Sequence, residues 1–179
     1  YGEFLYQNFD ASQEDGAPSG ETDTADLVRL VLYTGYKFND RILFNSEIEY
    51  EHATTGEGDE EKGEVSVEFA YLDFLFGERM GVRTGLVLVP LGFLNELHEP
   101  PIFLGTRRPM VEQQILPTTW RELGAGVFGE AGPLSWRAYL TTSLNSAGFE
   151  GENIREGRSA GSQAAAEDFA LTGRVDWTP

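Results

Sequence analysis

The chain has no cysteine, so it contains no disulfide, no thiolate metal ligand and no cysteine nucleophile. Basic residues are also scarce: 13 Lys and Arg stand against 30 Asp and Glu, which gives a net charge of −17 over 179 residues. This balance argues against a nucleic-acid partner, whose phosphates need a basic surface. No run of 18 apolar residues occurs, so the sequence holds no transmembrane helix.

Catalytic groups are sparse as well. The two histidines are His52, beside an acidic stretch, and His98, which lies between Glu96 and Glu99. One histidine in each place is weak support for a base or a metal ligand. We therefore expect no enzymatic activity, no metal site and no cofactor.

What the chain does have is strict alternation of apolar and polar residues. Between 41 and 51 the even positions are mostly apolar and the odd positions mostly charged. In the stretch from 27 to 38 the even positions are likewise uncharged, and the two charges, Arg29 and Lys37, fall on odd positions. A period of two places each set on one face of a β-strand. The apolar set carries no charge and ends in aromatics, which is typical of a strand that crosses a lipid bilayer. Its members are Val28, Leu30, Leu32, Thr34, Tyr36, Phe38, Ile42, Phe44, Ser46, Ile48 and Tyr50.

Eight segments are predicted to be strands, most of them long enough to cross a bilayer. The connections alternate between short turns, such as Asn39-Asp40, and long polar links. This pattern favours an all-β, antiparallel, up-and-down transmembrane β-barrel, with residues 1–179 as one domain. The predicted strands are Gly2 to Asp10, Leu27 to Phe38, Arg41 to His52, Val65 to Phe76, Val82 to Val89, Glu122 to Gly129, Leu134 to Leu144 and Asp168 to Trp177. The long links are Ala11 to Ala25, Ala53 to Glu64, Pro90 to Arg121 and Asn145 to Glu167.

In such a barrel the charged set faces the lumen, because a lipid-facing Arg or Lys at the midplane costs about 2–4 kcal/mol. Two interpretations of these charges stay open: a pore with an acidic mouth and a basic exit, or cross-strand pairs that neutralise one another. The predicted pore-lining residues are Arg29, Lys37, Arg41, Glu47, Glu49, Glu51, Arg83, Glu122, Arg137 and Arg174.

The fourth strand departs from the alternation because Asp73 falls in phase with Val65, Val67 and Phe69. A β-bulge near Phe69 to Tyr71 would turn Asp73 inward. The alternative is a strand that is buried on both faces.

The long link from 90 to 121 is too apolar for a loop in water, and we expect it to fold toward the lumen as a constriction. His98, Arg107 and Arg108 are its candidate site residues. The two arginines are suited to hold an anion through charge-assisted hydrogen bonds, or to pair with lumen carboxylates.

A resemblance appears in this part of the chain. The run from Gly85 to Asn95, followed by His98-Glu99-Pro100 and Arg107-Arg108-Pro109, resembles the phosphate-selective-porin family of Gram-negative bacteria, as does the stretch Trp120 to Gly124. The resemblance implies a sixteen-stranded, trimeric outer-membrane barrel that carries solutes passively, with a constricting loop. Eight strands are half of such a barrel, so we expect an excerpt. The family's anion path is basic, whereas this chain is acidic. A closed eight-stranded barrel is the rival architecture.

Taken together, these patterns predict an outer-membrane porin-like channel for small hydrophilic or ionic solutes. Two alternatives stay open: a carbohydrate-binding β-sandwich, and a small barrel that acts as a surface anchor or adhesin. The expected partners are outer-membrane lipid, lipopolysaccharide, the solutes themselves and, by resemblance, two further copies of the chain. The acidic runs, such as Glu14-Asp15 and Glu57 to Glu64, are expected to be solvated loops or cation bridges to lipopolysaccharide.

Overall fold

A computed structural model describes residues 1–11, 20–56, 63–105, 107–117, 119–149, 151 and 153–179. Eight antiparallel strands form one open sheet in chain order, which confirms the all-β, up-and-down prediction. A closed eight-stranded barrel is not what the structure contains, because β1 and β8 are the two ends of the sheet. The strands are β1 Gly2–Ala11, β2 Gly20–Asn39, β3 Ile42–Glu51, β4 Val65–Leu75, β5 Met80–Leu88, β6 Arg121–Ala131, β7 Leu134–Thr142 and β8 Phe169–Trp177.

Among the residues that the structure describes, helical structure lies in the long links. It consists of the five-residue helix α1, Met110–Gln114, and short 3₁₀ turns such as Asn95–Leu97 and Arg155–Gly157. No helix among the described residues has the length and apolarity needed to span a membrane. The acidic positions 14, 15 and 57–61 lie outside the described residues.

The predicted link from Ala11 to Ala25 is wrong in part, since β2 begins at Gly20. Its first residues pair with β1, from Leu5↔Asp26 to Ala11↔Gly20. This extension was missed because residues 20–26 are polar on both faces, so they show no apolar alternation. The register also shifts between Glu3 and Phe4, which places a bulge in β2 near Val28.

The turn between β2 and β3 has the expected local chemistry. The Asn39 side-chain oxygen accepts a hydrogen bond from the Arg41 amide at 2.8 Å, as in an Asx turn. Lys37 Nζ lies 2.6 Å from Asp40, and this hydrogen bond lowers the pKa of the Asp40 carboxyl. The predicted pore-lining residues Lys37 and Arg41 are therefore both exposed residues at this turn.

Contacts divide the chain into two compact units. The first comprises residues 1–33 and 47–67, and the second comprises residues 34–46 and 68–179. In the first unit, Phe4 and Tyr6 of β1 are strongly exposed, while Glu49 of β3 is buried. This arrangement is the reverse of that in a water-soluble sheet.

The same inversion is clearest in β8, in the second unit. Along this strand the apolar positions are exposed and the polar positions are partly covered, in perfect alternation. Leu171, Val175 and Trp177 are 80%, 68% and 67% exposed, whereas Arg174 and Asp176 between them are half-buried. We call the exposed apolar side the outer face and the covered polar side the polar face.

Strand β4 changes phase, as the predicted bulge requires. Glu68 and Phe69 are buried in succession, and beyond them Asp73 is buried opposite Arg83 of β5. Asp73 therefore belongs to the polar face.

Glycines on the polar face make room for aromatic rings of neighbouring strands. Gly126 of β6 lies opposite Tyr139 of β7, and Gly85 of β5 lies opposite Tyr71 of β4. A Cβ at Gly126 would overlap both the Tyr139 ring and the backbone oxygen of Ala138. Because the backbone oxygen is held by the strand pairing, this overlap has no easy relief.

We predict that Gly126→Ala destabilises the protein by about 1–3 kcal/mol, the usual cost of overpacking. Gly20→Ala is the matched control because a Cβ there meets nothing within 4 Å; its effect is expected to stay within about 0.5 kcal/mol. Urea unfolding followed by tryptophan fluorescence measures both. Equal midpoints for the two variants would contradict this packing argument.

Candidate functional site: the polar face and its insertion

The insertion between β5 and β6 is held at its base by one buried side chain, Asn95. The Asn95 amide nitrogen donates to the backbone oxygens of Val89 and Trp120, at 2.7 and 2.8 Å. Its side-chain oxygen accepts a hydrogen bond from the Trp120 amide at 2.6 Å. A single side chain thus ties together the end of β5, the start of β6 and the insertion itself.

The next residue, Glu96, reaches the polar face of β7 and β8. The Arg137 Nε lies 2.6 and 2.8 Å from the two carboxylate oxygens, and the Arg137 Nη2 also binds Glu96. Arg174 Nη1 lies 3.7 Å from Glu96 and donates to the backbone oxygen of Gly92 at 2.9 Å. Residues 92–96 therefore lie on the polar face of β7 and β8.

Asp176 completes this group by binding both arginines. It lies 2.8 Å from Arg137 Nη1 and 2.7 Å from Arg174 Nε. We call Glu96, Arg137, Arg174 and Asp176 the four-residue ion cluster. It pairs two cations with two anions, so its formal charge is zero.

The predicted constriction residues have structural contacts. Arg108 donates to the His98 backbone oxygen at 3.1 Å and lies 3.4 Å from the Thr119 hydroxyl. His98 is buried, with Nδ1 3.2 Å from the Asn95 backbone oxygen. Arg107 is exposed. The two adjacent arginines thus point to different surroundings, which does not favour a joint anion site.

Helix α1 closes the insertion on itself. The buried Glu112 of α1 accepts a hydrogen bond from the Phe93 amide at 3.2 Å. This contact links the second half of the insertion to residues 92–93, beside Glu96.

A second ion pair lines the polar face of β4 and β5. Arg83 binds Asp73 with Nε and Nη2 at 2.8 and 3.0 Å, a two-point contact. Its guanidinium lies 3.8 Å from the centre of the Tyr71 ring and 5.2 Å from that of Phe128. The predicted pore-lining Arg83 is therefore held flat against the sheet by charge pairing and cation–π contacts.

At the end of the sheet nearest the long links, three charged side chains are buried: Glu68, Arg121 and Glu122. Arg121 pairs with Glu68 at 2.9 Å, and both side chains are covered. Glu122 is 0% exposed and accepts hydrogen bonds from Thr142 and from the Ser159 hydroxyl, at 2.7 and 2.6 Å. Through these bonds Glu122, a predicted pore-lining residue, anchors the link between β7 and β8.

The same link carries a basic group. Arg155 and Arg158 lie near Arg121 and Glu68, and burial, followed by the charge of Arg155, lowers the pKa of Arg158 to about 10. Arg158 therefore remains protonated at neutral pH. Gly161 of this link lies against Leu86 and Leu123. The link therefore covers part of the outer face at the end of the sheet nearest the long links.

In the first unit, Arg29 joins two strands. Its Nε lies 2.8 Å from Glu3 of β1 and its Nη1 lies 2.8 Å from Glu49 of β3. Glu47 is buried and Glu51 is half-buried. These pairs agree with the interpretation in which cross-strand partners neutralise one another.

His52 belongs to a separate recess of the first unit. Its Nδ1 lies 2.7 Å from Asp26, and both residues line a shallow space of about 400 Å³ with Leu5, Gln7, Thr24 and Ala25.

Sequence reasoning missed Glu68, Asn95 and Glu96. Glu68 was overlooked because it falls out of phase with Asp73 in the alternation of β4. Asn95 and Glu96 lie outside any periodic element, and their partners lie up to 41 residues away in the chain. The sequence cue that was present is an Asn-Glu pair within an apolar stretch.

Comparison with known proteins identifies a longer relative. An uncharacterized protein of Aquifex aeolicus (strain VF5) is 44% identical over 182 residues, which cover 99% of this chain and 39% of that protein. The chain thus spans well under half the length of this relative. No family model and no solved structure matches the chain.

We predict that Asn95→Ala loosens the insertion, because the Trp120 amide loses its acceptor and the backbone oxygens of Val89 and Trp120 each lose one of two hydrogen bonds. A buried unsatisfied group costs about 1–3 kcal/mol. Asn145→Ala is the control, since the Asn145 side chain makes one exposed contact, with the Ala147 amide. Limited proteolysis within residues 90–120 measures the effect, and equal cleavage of both variants would contradict it.

Proposed function

We propose that this chain forms part of an outer-membrane, porin-like channel through which small hydrophilic or ionic solutes diffuse passively. The insertion at 90–121 is the constriction of that channel. The observation that carries the proposal is the inverted sheet: apolar side chains face outward along β8 while the charged side chains are covered and paired.

The energetics support a lipid environment for the outer face. Each large apolar side chain left in water forgoes about 1.5–3 kcal/mol of burial free energy. The exposed set includes Leu140, Leu171, Val175 and Trp177 from β7 and β8 alone. Contact with hydrocarbon recovers this free energy, whereas contact with water does not.

Aromatic residues support the same orientation. Exposed aromatics lie near the short turns and near the long links, which is the distribution of the two aromatic girdles of outer-membrane barrels. Tyr36, Phe38, Phe76 and Trp177 belong to the short-turn group, and Phe4, Tyr6 and Phe169 belong to the long-link group.

The open edges of the sheet favour a larger barrel. A strand edge in hydrocarbon leaves several kcal/mol unsatisfied for each backbone group, so a sheet that spans a membrane must close. An eight-stranded barrel has an interior that side chains alone fill. Because residues 92–96 already occupy the polar face, closure with further strands, as in a sixteen-stranded barrel, suits this chain better.

The relative from Aquifex aeolicus adds support through its length. It aligns with nearly the whole chain and is more than twice as long, which leaves room for further strands. The trimeric state and the phosphate-selective-porin family remain proposals that come from the motif resemblance. The same holds for the outer-membrane location, the contact with lipopolysaccharide, and the absence of catalysis and cofactors.

The two alternative functions have less support. A β-sandwich needs a second layer over the apolar face, and the described residues form one sheet. A surface anchor or adhesin would share the lipid-facing side chains but would conduct no ions.

We predict that the purified full-length protein forms discrete conductance steps in a planar lipid bilayer. This expectation follows from a charged, water-accessible polar face. The control is the same detergent preparation after irreversible thermal unfolding. A folded, membrane-inserted protein without conductance would favour the anchor and contradict the channel.

We also predict that Leu171→Arg lowers stability in lipid by about 1–3 kcal/mol, because an Arg on the lipid face costs about 2–4 kcal/mol at the midplane and less toward the interfaces, and Leu171 lies two residues from the start of β8. Ser162→Arg, at an exposed position of the link before β8, is the control. Urea unfolding in phospholipid vesicles measures both variants. In a protein whose Leu171 faces water, the two substitutions would have similarly small effects, and that result would contradict the membrane assignment.

A further inference from the structure

Resting on the proposed channel, we propose that Glu96 is its specificity-determining residue: it sets the width of the constriction and keeps anions from being favoured. The proposal stands on the four-residue ion cluster and on the position of the insertion. It differs from the sequence expectation, which assigned the anion contacts to Arg107 and Arg108.

Glu96 fixes the insertion at a second point, away from its base. Asn95 holds the base through the ends of β5 and β6. Glu96 holds the adjacent turn to β7 with both carboxylate oxygens in the fork of the Arg137 guanidinium. Two neighbouring residues thus connect the ends of β5 and β6 to β7 and β8, which leaves residues 92–96 little freedom to move off the polar face.

The cluster also decides how much positive charge the polar face presents. Arg137 and Arg174 are directly opposite each other on β7 and β8, so their guanidinium groups repel unless carboxylates separate them. Asp176 supplies one negative charge and Glu96 supplies the other. Without Glu96, two arginines would face one carboxylate and the cluster would carry a net charge of +1.

The balance of paired charges on the polar face indicates which class of solute the channel favours. Arg83 is paired with Asp73 and Arg121 with Glu68, so the arginines of this polar face are matched by carboxylates. The chain as a whole carries a net charge of −17. A channel lined in this way favours small cationic or neutral solutes over anions.

The test is Glu96→Gln in the full-length protein, measured as single-channel conductance and as reversal potential in a KCl gradient. We expect larger conductance, because the insertion is released. We also expect the chloride-to-potassium permeability ratio to rise by about fivefold, the ratio that one unit charge at close range supports in water. Glu130→Gln is the matched control, since Glu130 is exposed and outside the cluster. It makes the same change in charge.

A labelling experiment separates charge from folding. This chain has no cysteine, so Glu96→Cys offers one thiol within it. Modification with a sulfonate-bearing methanethiosulfonate should restore cation preference, whereas a trimethylammonium-bearing reagent should raise anion preference further. Glu96→Asp keeps the carboxylate and should conserve the wild-type preference, provided that its gel mobility shows a folded barrel.

Each outcome has a defined meaning. A rise in both readouts for Glu96→Gln but not for Glu130→Gln, together with opposite effects of the two reagents, supports the inference. Equal behaviour of the two glutamine variants, or a wild-type channel that prefers anions, overturns the inference while leaving the channel intact. Absence of wild-type conductance overturns the proposed function itself.

Discussion

A charged side chain that protein covers needs an opposite charge or hydrogen-bond partners, and in this sheet that requirement organises the polar face. Arg83 pairs with Asp73, Arg121 with Glu68, and Arg137 with Asp176. Breaking a buried pair costs about 3–5 kcal/mol, because an uncompensated charge remains. The strands can therefore present their charged side in one direction only. The apolar side is left outward, which is the basis for placing the sheet in a membrane.

The same requirement positions the insertion. The apolar side chains of the insertion must be shielded from water, but the hydrophobic effect does not specify which surface shields them. Glu96 supplies the direction, since its carboxylate meets two arginines that stand side by side on β7 and β8. Asn95 then determines how the segment leaves the sheet. One charged residue and one amide together convert a nonspecific tendency to collapse into a defined position on the polar face.

How much of this structure could be predicted from the sequence depends on whether each interaction is local or joins residues far apart in the chain. The eight strands and the exposed, uncharged phase of β8 could be predicted because alternation is a local property. The start of β2 at Gly20 could not, because its residues are polar on both sides. The partners of Glu96 could not either, since Arg137 lies 41 residues away and no periodicity connects them. The burial of Glu122 under a link could not be predicted either, because its position in the alternation is the same whether a link covers it or not.

The charge balance of the proposed channel follows from the use of arginine as a structural residue. An arginine that binds a carboxylate at two points and lies on an aromatic ring, as Arg83 does, is held in place by several contacts. Such an arginine contributes little net field to the lumen, because its partner cancels its charge at short range. The ion preference then depends on the carboxylate whose substitution disturbs the pairing of the strands least. In the second unit that carboxylate is Glu96, the member of the four-residue ion cluster that comes from the insertion rather than from a strand.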